Sequence, residues 1–392
     1  MPKEILLSGA DKPFLFCYSI VWRLSRDGEA AQIVLDLLPN APSGGHSKAP
    51  KNQRTFRRDG KLIMNTASSL YRELTPEQLT AIVEAHFGAG RPYAARLLEG
   101  GLFNTTYRVS LREPEREVVL RMGPVHCELL LPYEENLMRA EEYVYDLFHA
   151  NGIPGSTVVA CDTSRELIDR DYMIVDFIES VPLSSIEDPK ITAELFRQTG
   201  EYAARLNQIE GPGFGRVSEI LRGNISPSWP AYLTGELAQT LKALGKHGLL
   251  TPDQCRLISD AYTQNLDVLA GVTVPHLAHC DLWAGNVLAA PDANGHCEVK
   301  AIIDPDRAVF GDQEFDFASP WMITDDFVAG YSKYSPVDFA ALESPEKQRK
   351  FSLYRLMFHL NDAYALQVEY NNAQSCSERL TEALELASEL TK

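Results

Sequence analysis

Residues 279–286 read His279-Cys280-Asp281-Leu282-Trp283-Ala284-Gly285-Asn286, and residues 301–306 read Ala301-Ile302-Ile303-Asp304-Pro305-Asp306. The first segment sets a carboxylate and an amide five residues apart, a step that one small loop can turn toward a single point. The second is an apolar strand ending in carboxylates. Phosphoryl transfer uses such a set. One carboxylate orients the attacking hydroxyl and accepts its proton, while an amide and a second carboxylate hold metal ions on the nucleotide phosphates. Taken singly, Asp281, Asn286 and Asp304 would serve as caps of turns and helices. The full eight-residue segment followed by Ile-Ile-Asp is much more specific.

Upstream, the remaining parts of a nucleotide site occur in the order it requires. Residues 95–98, 105–111 and 117–122 read as strands, the first two joined by Glu99-Gly100-Gly101-Leu102-Phe103-Asn104. A Gly-Gly turn lets backbone approach phosphates without Cβ interference, although alone it marks only a hairpin. Arg121 on the third strand can fork onto phosphate oxygens. Residues 137–151 read as a helix ended by Gly152, whose Glu141 can pair with Arg121 and steady it. Residues 172–178 read as an apolar strand; its stretch Val175 to Phe177 can hydrogen-bond an adenine through backbone groups, with Ile174 packing near the base.

From about residue 180 the pattern turns helical, over 191–208, 235–247, 252–270 and two long segments after Glu346. A β-rich part followed by a helix-rich part predicts an α+β protein of two lobes with a cleft between them. Thr75-Pro76-Glu77-Gln78 starts a helix, with Thr75 as cap, Pro76 in the first turn, Gln78 completing a capping box and Gly88 closing it. A boundary just before it divides the chain into an extension (1–74), a small lobe with its hinge (75–179) and a helical lobe (180–392). Within the extension, alternation over 14–24 and 31–38 predicts a hairpin. Lys48, Lys51, Arg54, Arg57 and Arg58 predict a solvated loop.

The chain has 392 residues, enough for two or three domains at roughly 150 residues each. At 45% hydrophobic and 23% charged it is neither a disordered chain nor a fibre. No apolar run approaches the roughly 20 residues of a membrane span, and Asp11 and Lys12 interrupt the N-terminus too soon for a signal peptide. Seven cysteines without a C-x-x-C pair argue against a disulfide framework or structural zinc and fit the cytoplasm. The net charge of −17 gathers after the extension: residues 1–74 carry 11 Lys/Arg against 7 Asp/Glu. An acidic body argues against nucleic acid as the main partner and suits a cationic small substrate.

On these motifs the chain resembles the aminoglycoside phosphotransferase family, small-molecule kinases related to the protein kinases, over roughly residues 95–320. LLEGGLFNTTYRV, which contains Asn104, is similar to the family's phosphate-loop hairpin, and VVLRM to its phosphate-binding strand. MRAEEYVYDLF with GIP looks like its glutamate-bearing helix, and YMIVDFIESVPL its interlobe hinge. HCDLWAGN looks like the catalytic loop, and IIDPDRAVFGDQEFDFA the metal-binding segment. The resemblance implies a bilobal, protein-kinase-like fold with a small antiparallel-sheet N-lobe and a larger helical C-lobe. It implies ATP or GTP as co-substrate with Mg2+. Asp281 would be the catalytic base or hydroxyl-orienting residue, with Asn286 and Asp304 as magnesium ligands. Arg121 would sit at the α/β-phosphates with Glu141 as partner, and His279 and Asp316 would brace the catalytic loop. The sequence departs from the family pattern at Arg121 (usually Lys), Cys280 (usually Gly) and Ser180 (usually the hinge Gly).

Between residues 304 and 326, Asp304, Asp306, Asp312, Glu314, Asp316, Asp325 and Asp326 stand against a single Arg307. That balance suits the ammonium groups of an aminoglycoside-like or amino-sugar compound, with Asp306 and Glu314 as candidate substrate contacts. Equally, two of these carboxylates bind metal, one braces the loop and the rest are solvated. Trp283 is also similar to the ketosamine (fructosamine) kinases, and a choline, homoserine or simple-sugar kinase is a further reading. A catalytically silent nucleotide-binding module has no chemical need for the intact Asp281, Asn286 and Asp304 set.

Overall fold

A computed structural model describes residues 68–98, 103–292, 294–319 and 322–392. The hairpin expected within 14–38, the basic stretch 48–58 and the Gly100-Gly101 turn lie outside the described residues. Helix α1 (Pro76–Phe87) opens on the expected capping box: the Gln78 N–H donates to Thr75 Oγ1 (3.2 Å) and the Thr75 N–H to Gln78 Oε1 (3.1 Å). Gly88 closes the helix at φ +103°, where a side chain would be strained.

A five-stranded antiparallel sheet follows. It comprises β1 (Tyr93–Leu98), β2 (Thr105–Leu111), β3 (Arg116–Met122), β4 (Val158–Asp162) and β5 (Tyr172–Asp176) in the order β1-β2-β3-β5-β4. Helix α2 (Leu137–Ala150) lies between β3 and β4 in the chain. The period of two gives each face its task. Tyr107, Val109 and Leu111 of β2, Val118, Leu120 and Met122 of β3, and Tyr172 and Ile174 of β5 cluster with Ile82 and Val83 of α1. The intervening Arg108, Val119, Arg121 and Val175 line the cleft.

The helical lobe follows the hinge, beginning with β6 (Val181–Pro182) and α3 (Pro189–Leu206). Next come β7 (Gly215–Arg216), α4 (Val217–Ile220), α5 (Trp229–Lys246) and α6 (Pro252–Gln264). Four short strands, β8 (His276–Ala278), β9 (Val287–Pro291), β10 (Cys297–Ile302) and β11 (Val309–Gly311), carry the loops of interest. Helices α7 (Asp325–Tyr331), α8 (Pro345–Tyr364) and α9 (Ala373–Leu390) complete the lobe, and α8 runs into a π-helical turn, Ala365–Glu369. The strands form two three-stranded sheets, β10-β9-β6 and β7-β11-β8. The overall architecture is the expected bilobal α+β one.

Several expectations need correcting. Helix α5 starts six residues before Gly235, because Ser228 caps it, Pro230 fits its first turn, and Trp229 is fully buried. The helix expected over 252–270 stops at Gln264 and continues as a 3-10 turn, Leu266–Leu269. Strands of two or three residues, such as β6, β7, β8 and β11, carry no readable periodicity and were not expected. The boundary before residue 75 is not a clean break, since Leu70 is completely buried against residues of both lobes. Among the described residues no helix is long and apolar enough to cross a membrane.

Candidate active site

The catalytic loop is closed by a ladder. Strand β9 begins one residue after Asn286 and β10 ends two residues before Asp304; their antiparallel register pairs Val287 with Ile302. The Ile303 N–H donates to Asn286 O (2.9 Å), so residues far apart in the chain emerge at the same ladder end. Asp281 joins them from the loop: Asn286 Nδ2 donates to Asp281 Oδ2 (2.9 Å) and Asp281 O (2.8 Å). Asp281, Asn286 and Asp304 thus converge.

Buried polar groups brace the loop from beneath. The imidazole of His279 is completely buried, and burial pushes it down to about 4, so it is neutral at neutral pH. Its Nε2 lies 3.1 Å from Ile303 O, and the Asp281 N–H donates to its Nδ1 (3.2 Å), which assigns the Nε2–H tautomer. Asp316 accepts the N–H groups of His279 (2.9 Å) and Cys280 (2.7 Å). Burial pushes the Asp316 carboxyl up to about 6 against the pull of those two donors. Cys280 needs this support, because it stands at φ +68°, in the left-handed region where the family pattern has glycine. Asp304 is likewise left-handed, at φ +62°, a local cost of the kind found at functional sites. A Cβ at Gly285 would lie 2.2 Å from the Trp283 ring, so glycine there lets the indole fold back over the loop.

Arg121 reaches down from β3 and bonds both Glu141 of α2 and Asp304. Burial raises the Glu141 carboxyl while Arg121 pulls it down, and a guanidinium that stays cationic keeps the pair ionic. Tyr145, one turn beyond Glu141, donates to Glu141 Oε1 (2.8 Å) and accepts the Asp304 N–H (3.2 Å). Sequence reasoning missed this tyrosine, although its i+4 spacing from Glu141 was a usable signal. With its amide turned to satisfy both neighbours, Asn104 accepts from Arg121 Nη2 (3.0 Å) and donates to Met122 O (3.2 Å).

The N–H groups of the stretch expected to meet the base are used within the fold. The Asp176 N–H donates to Thr157 O (3.0 Å) and the Phe177 N–H to Glu117 O (3.1 Å), while Val175 is paired within the sheet on both sides. Val175 and Phe177 therefore line the cleft without offering N–H groups to a base. Ile178 lines the same cleft, and its N–H has no hydrogen bond among the described residues. Ser180 Oγ donates to Ile178 O (3.0 Å), fixing the hinge locally where the family pattern has glycine.

Glu314 is not a substrate-facing carboxylate. It is buried and bonded by Lys347 (2.5 and 2.6 Å) and Lys350 (2.6 Å), which leaves no free charge for a cationic ligand. Asp306 stays in play. Burial pushes it up to about 6, Arg307 lies 3.5 Å away, and it lines a cavity of about 810 Å³. That cavity meets the site only at Asn104, Glu141 and Asp306, and so lies beside the nucleotide cleft rather than within it.

A hard divalent cation fits these donors. Asn286 is fully buried, and its Oδ1 has no partner among the described residues. With the neighbouring Asp304 carboxylate it offers oxygen ligands only. Among the described residues no group of three or more His, Cys, Asp and Glu could hold a metal ion.

Comparison with known proteins bears on this geometry. A search by sequence among curated proteins finds no match. Among solved structures, a Thermobifida fusca protein assigned to the fructosamine-3-kinases superimposes with a TM-score of 0.56 at 20% identity, over 79% of this chain and 98% of that one. Aminoglycoside phosphotransferase APH(4)-Ia superimposes at 0.55 and 16% identity, over 80% and 99%. A thermostable mutant of that enzyme in ternary complex with AMP-PNP and hygromycin B gives 0.56 and 16%, over 79% and 98%. At such identities these likenesses establish the shared fold. The sequence itself matches the phosphotransferase enzyme family over residues 94–339, from the first strand of the small lobe to beyond Asp304 and Asp316. That span holds the catalytic loop, the ladder and the Arg121–Glu141 pair together, and the chain belongs to the phosphotransferase enzyme family as a small-molecule kinase.

Proposed function

We propose that the protein transfers the γ-phosphoryl group of ATP or GTP to a hydroxyl of a small, polar, cationic molecule, an aminoglycoside-like or amino-sugar compound fitting best. The observation that carries this reading is the Asn286 amide, which donates to the Asp281 carboxylate while its own buried oxygen is left without a partner. Such an amide fixes the hydroxyl-orienting carboxylate and keeps a ligand for a cation. Asp281 would take or orient the acceptor proton, and Arg121, steadied by Glu141 and Tyr145, would align the phosphates. The Ile178 N–H would donate to the base. Magnesium, held by Asn286 and Asp304, would neutralise charge on the β- and γ-phosphate oxygens when bound.

A cavity of about 810 Å³ borders the site at Asn104, Glu141 and Asp306, and its size suits a small polar ligand. It is lined by Glu134, Glu135, Glu141, Glu142, Asp146, Asp171 and Asp306 against Arg139, Arg165 and Arg222. Most of these carboxylates are already paired with arginines, Glu141 with Arg121 and Glu134 and Asp306 with Arg307 among them, so the cationic class draws its support from the hygromycin B complex of the fold relative. A ketosamine acceptor is the second reading: Trp283 Nε1 is buried in the catalytic loop without a partner, an available donor for a sugar oxygen.

A coupled ADP-release screen over kanamycin, hygromycin B, spectinomycin, N-fructosyl-lysine, choline and glucose tests the proposal. Turnover of a cationic sugar that falls by at least roughly 10³-fold in Asp281→Asn, with nucleotide binding retained, is the expected result. Silence on every acceptor, or turnover that survives Asp281→Asn, would overturn it.

A further inference from the structure

The two lobes are joined through the hinge and through the packing of α2 against the helical lobe, and a further tie lies away from both. Residues 68–74 precede the family-matched span and run from the helical lobe up to the sheet. At the lower end the Ser69 N–H donates to Glu369 O (2.7 Å), in the π-helical turn after α8, and Asn371 Nδ2 donates to Ser69 Oγ (3.0 Å). At the upper end the Val125 N–H donates to Leu70 O (3.1 Å). Thr105 Oγ1 donates to Arg72 O (3.1 Å), and the Leu74 N–H to Tyr107 Oη (2.9 Å). Between them Leu70 is completely buried in a small apolar cluster with Phe103, Leu137 and Tyr370.

Each of those three partners belongs to a different part of the site. Phe103 stands two residues before β2, at the end of the turn that joins it to β1. Leu137 begins α2, the helix that carries Glu141. Tyr370 comes from the helical lobe, beyond the matched span. The Arg307 guanidinium lies 4.9 Å over the Phe103 ring, donates to Glu134 (3.0 Å), and sits 3.5 Å from Asp306. A continuous set of contacts therefore runs from the strap through Phe103 to the carboxylates beside Asp304.

We propose that residues 68–74 and the turn after α8 form an interlobe latch, with Leu70 and Ser69 as positioning residues that hold the β1–β2 hairpin in its nucleotide-binding placement. The reasoning is thermodynamic. A loosely placed hairpin samples arrangements that do not bind nucleotide, and the apparent affinity of its ligand is reduced according to the fraction of molecules in the competent arrangement. A further tie at the hairpin raises that fraction. It touches none of Asp281, Asn286 and Asp304, so it acts on nucleotide binding and leaves the chemical step alone. The inference rests on the nucleotide-dependent reading above.

The test uses the full chain and two variants. Leu70→Ala empties the apolar anchor, while Ser69→Pro removes the N–H that Glu369 accepts and the hydroxyl that Asn371 bonds. Both are checked for a folded state by thermal melting. The expected result is a roughly tenfold rise in the KM for MgATP, kcat within twofold of the parent, and faster amide hydrogen exchange over 103–111 and 364–371. Leu70→Met restores the parent KM. Arg72→Ala, which breaks only an exposed pair with Asp169, changes neither constant. An unchanged KM in folded Leu70→Ala and Ser69→Pro, or a fall in kcat at unchanged KM, overturns the latch. If the parent fails to bind a fluorescent ATP analogue, the functional reading fails instead, and the exchange comparison at 103–111 still decides the latch.

Discussion

Two buried ion clusters sit within the same molecule and are built to opposite rules. In the helical lobe Arg216 donates to Glu236 through Nε (3.2 Å) and Nη2 (3.0 Å) and to Arg307 O through Nη1 (2.8 Å). Glu236 also accepts from Tyr232 Oη (2.6 Å) and Asn361 Nδ2 (3.1 Å). Every polar atom of that pair is used. In the cleft, Arg121, Glu141 and Asn286 are likewise buried beside a partly exposed Asp304, yet Glu141 Oε2 and Asn286 Oδ1 have no partner among the described residues. A buried oxygen without a donor costs about 1–3 kcal/mol. The complete cluster holds the fold, and the incomplete one keeps that cost in place for a ligand to relieve.

The contrast can be broken in several ways. Glu236→Ala strands a buried guanidinium and is expected to destabilise the protein by ~3–5 kcal/mol in urea unfolding, with activity per folded molecule intact; a loss of kcat at full folding would contradict the division. Asn286→Ala removes the proposed cation ligand and the brace of Asp281. It is expected to lower kcat by about 10²–10³-fold while the melting temperature stays within a few degrees. Saturating MgATP at about 100 times its Kd adds ~2.7 kcal/mol to the stability of the parent. That gain shrinks sharply in Asn286→Ala but survives in variants of the complete cluster, as calorimetry would register.

A pH effect of smaller size sharpens the same point. His279 has its folded value depressed to about 4 from an ordinary 6.5. Its contribution to stability is therefore full above about 6.5 and is lost as the pH falls through about 4. Urea midpoints are expected to show a loss of about 2 kcal/mol between pH 7 and pH 5. His279→Gln should flatten that slope, and an unaltered slope would show that the catalytic loop does not govern it.

How much was legible in the sequence depended on distance along the chain. The cap of α1 was readable because Thr75 and Gln78 satisfy each other within one turn. The convergence of Asp281 and Asn286 was readable because five residues span the loop, and Asp304 because an apolar strand leads to it. Glu314 misled, since its lysines arrive from α8, more than thirty residues later. That the N–H groups of Val175 to Phe177 are spent within the fold was not legible, because only the sheet register reveals that Glu117 O takes the Phe177 N–H. Nothing local marked Leu70 as buried, for its neighbours come from residues 103, 137 and 370. Short-range chemistry was visible in the letters, and long-range burial was not.

The β9–β10 ladder has a last consequence, for the catalytic cycle. Asn286 and Asp304 hang from one rung of a single hairpin, so swinging the lobes apart leaves their mutual spacing intact. What opening would separate is Asp304 from Arg121 of the sheet and from Tyr145 of α2. Product departure would thus begin with a guanidinium letting go, and the cation's seat would be waiting, already shaped, for the next nucleotide.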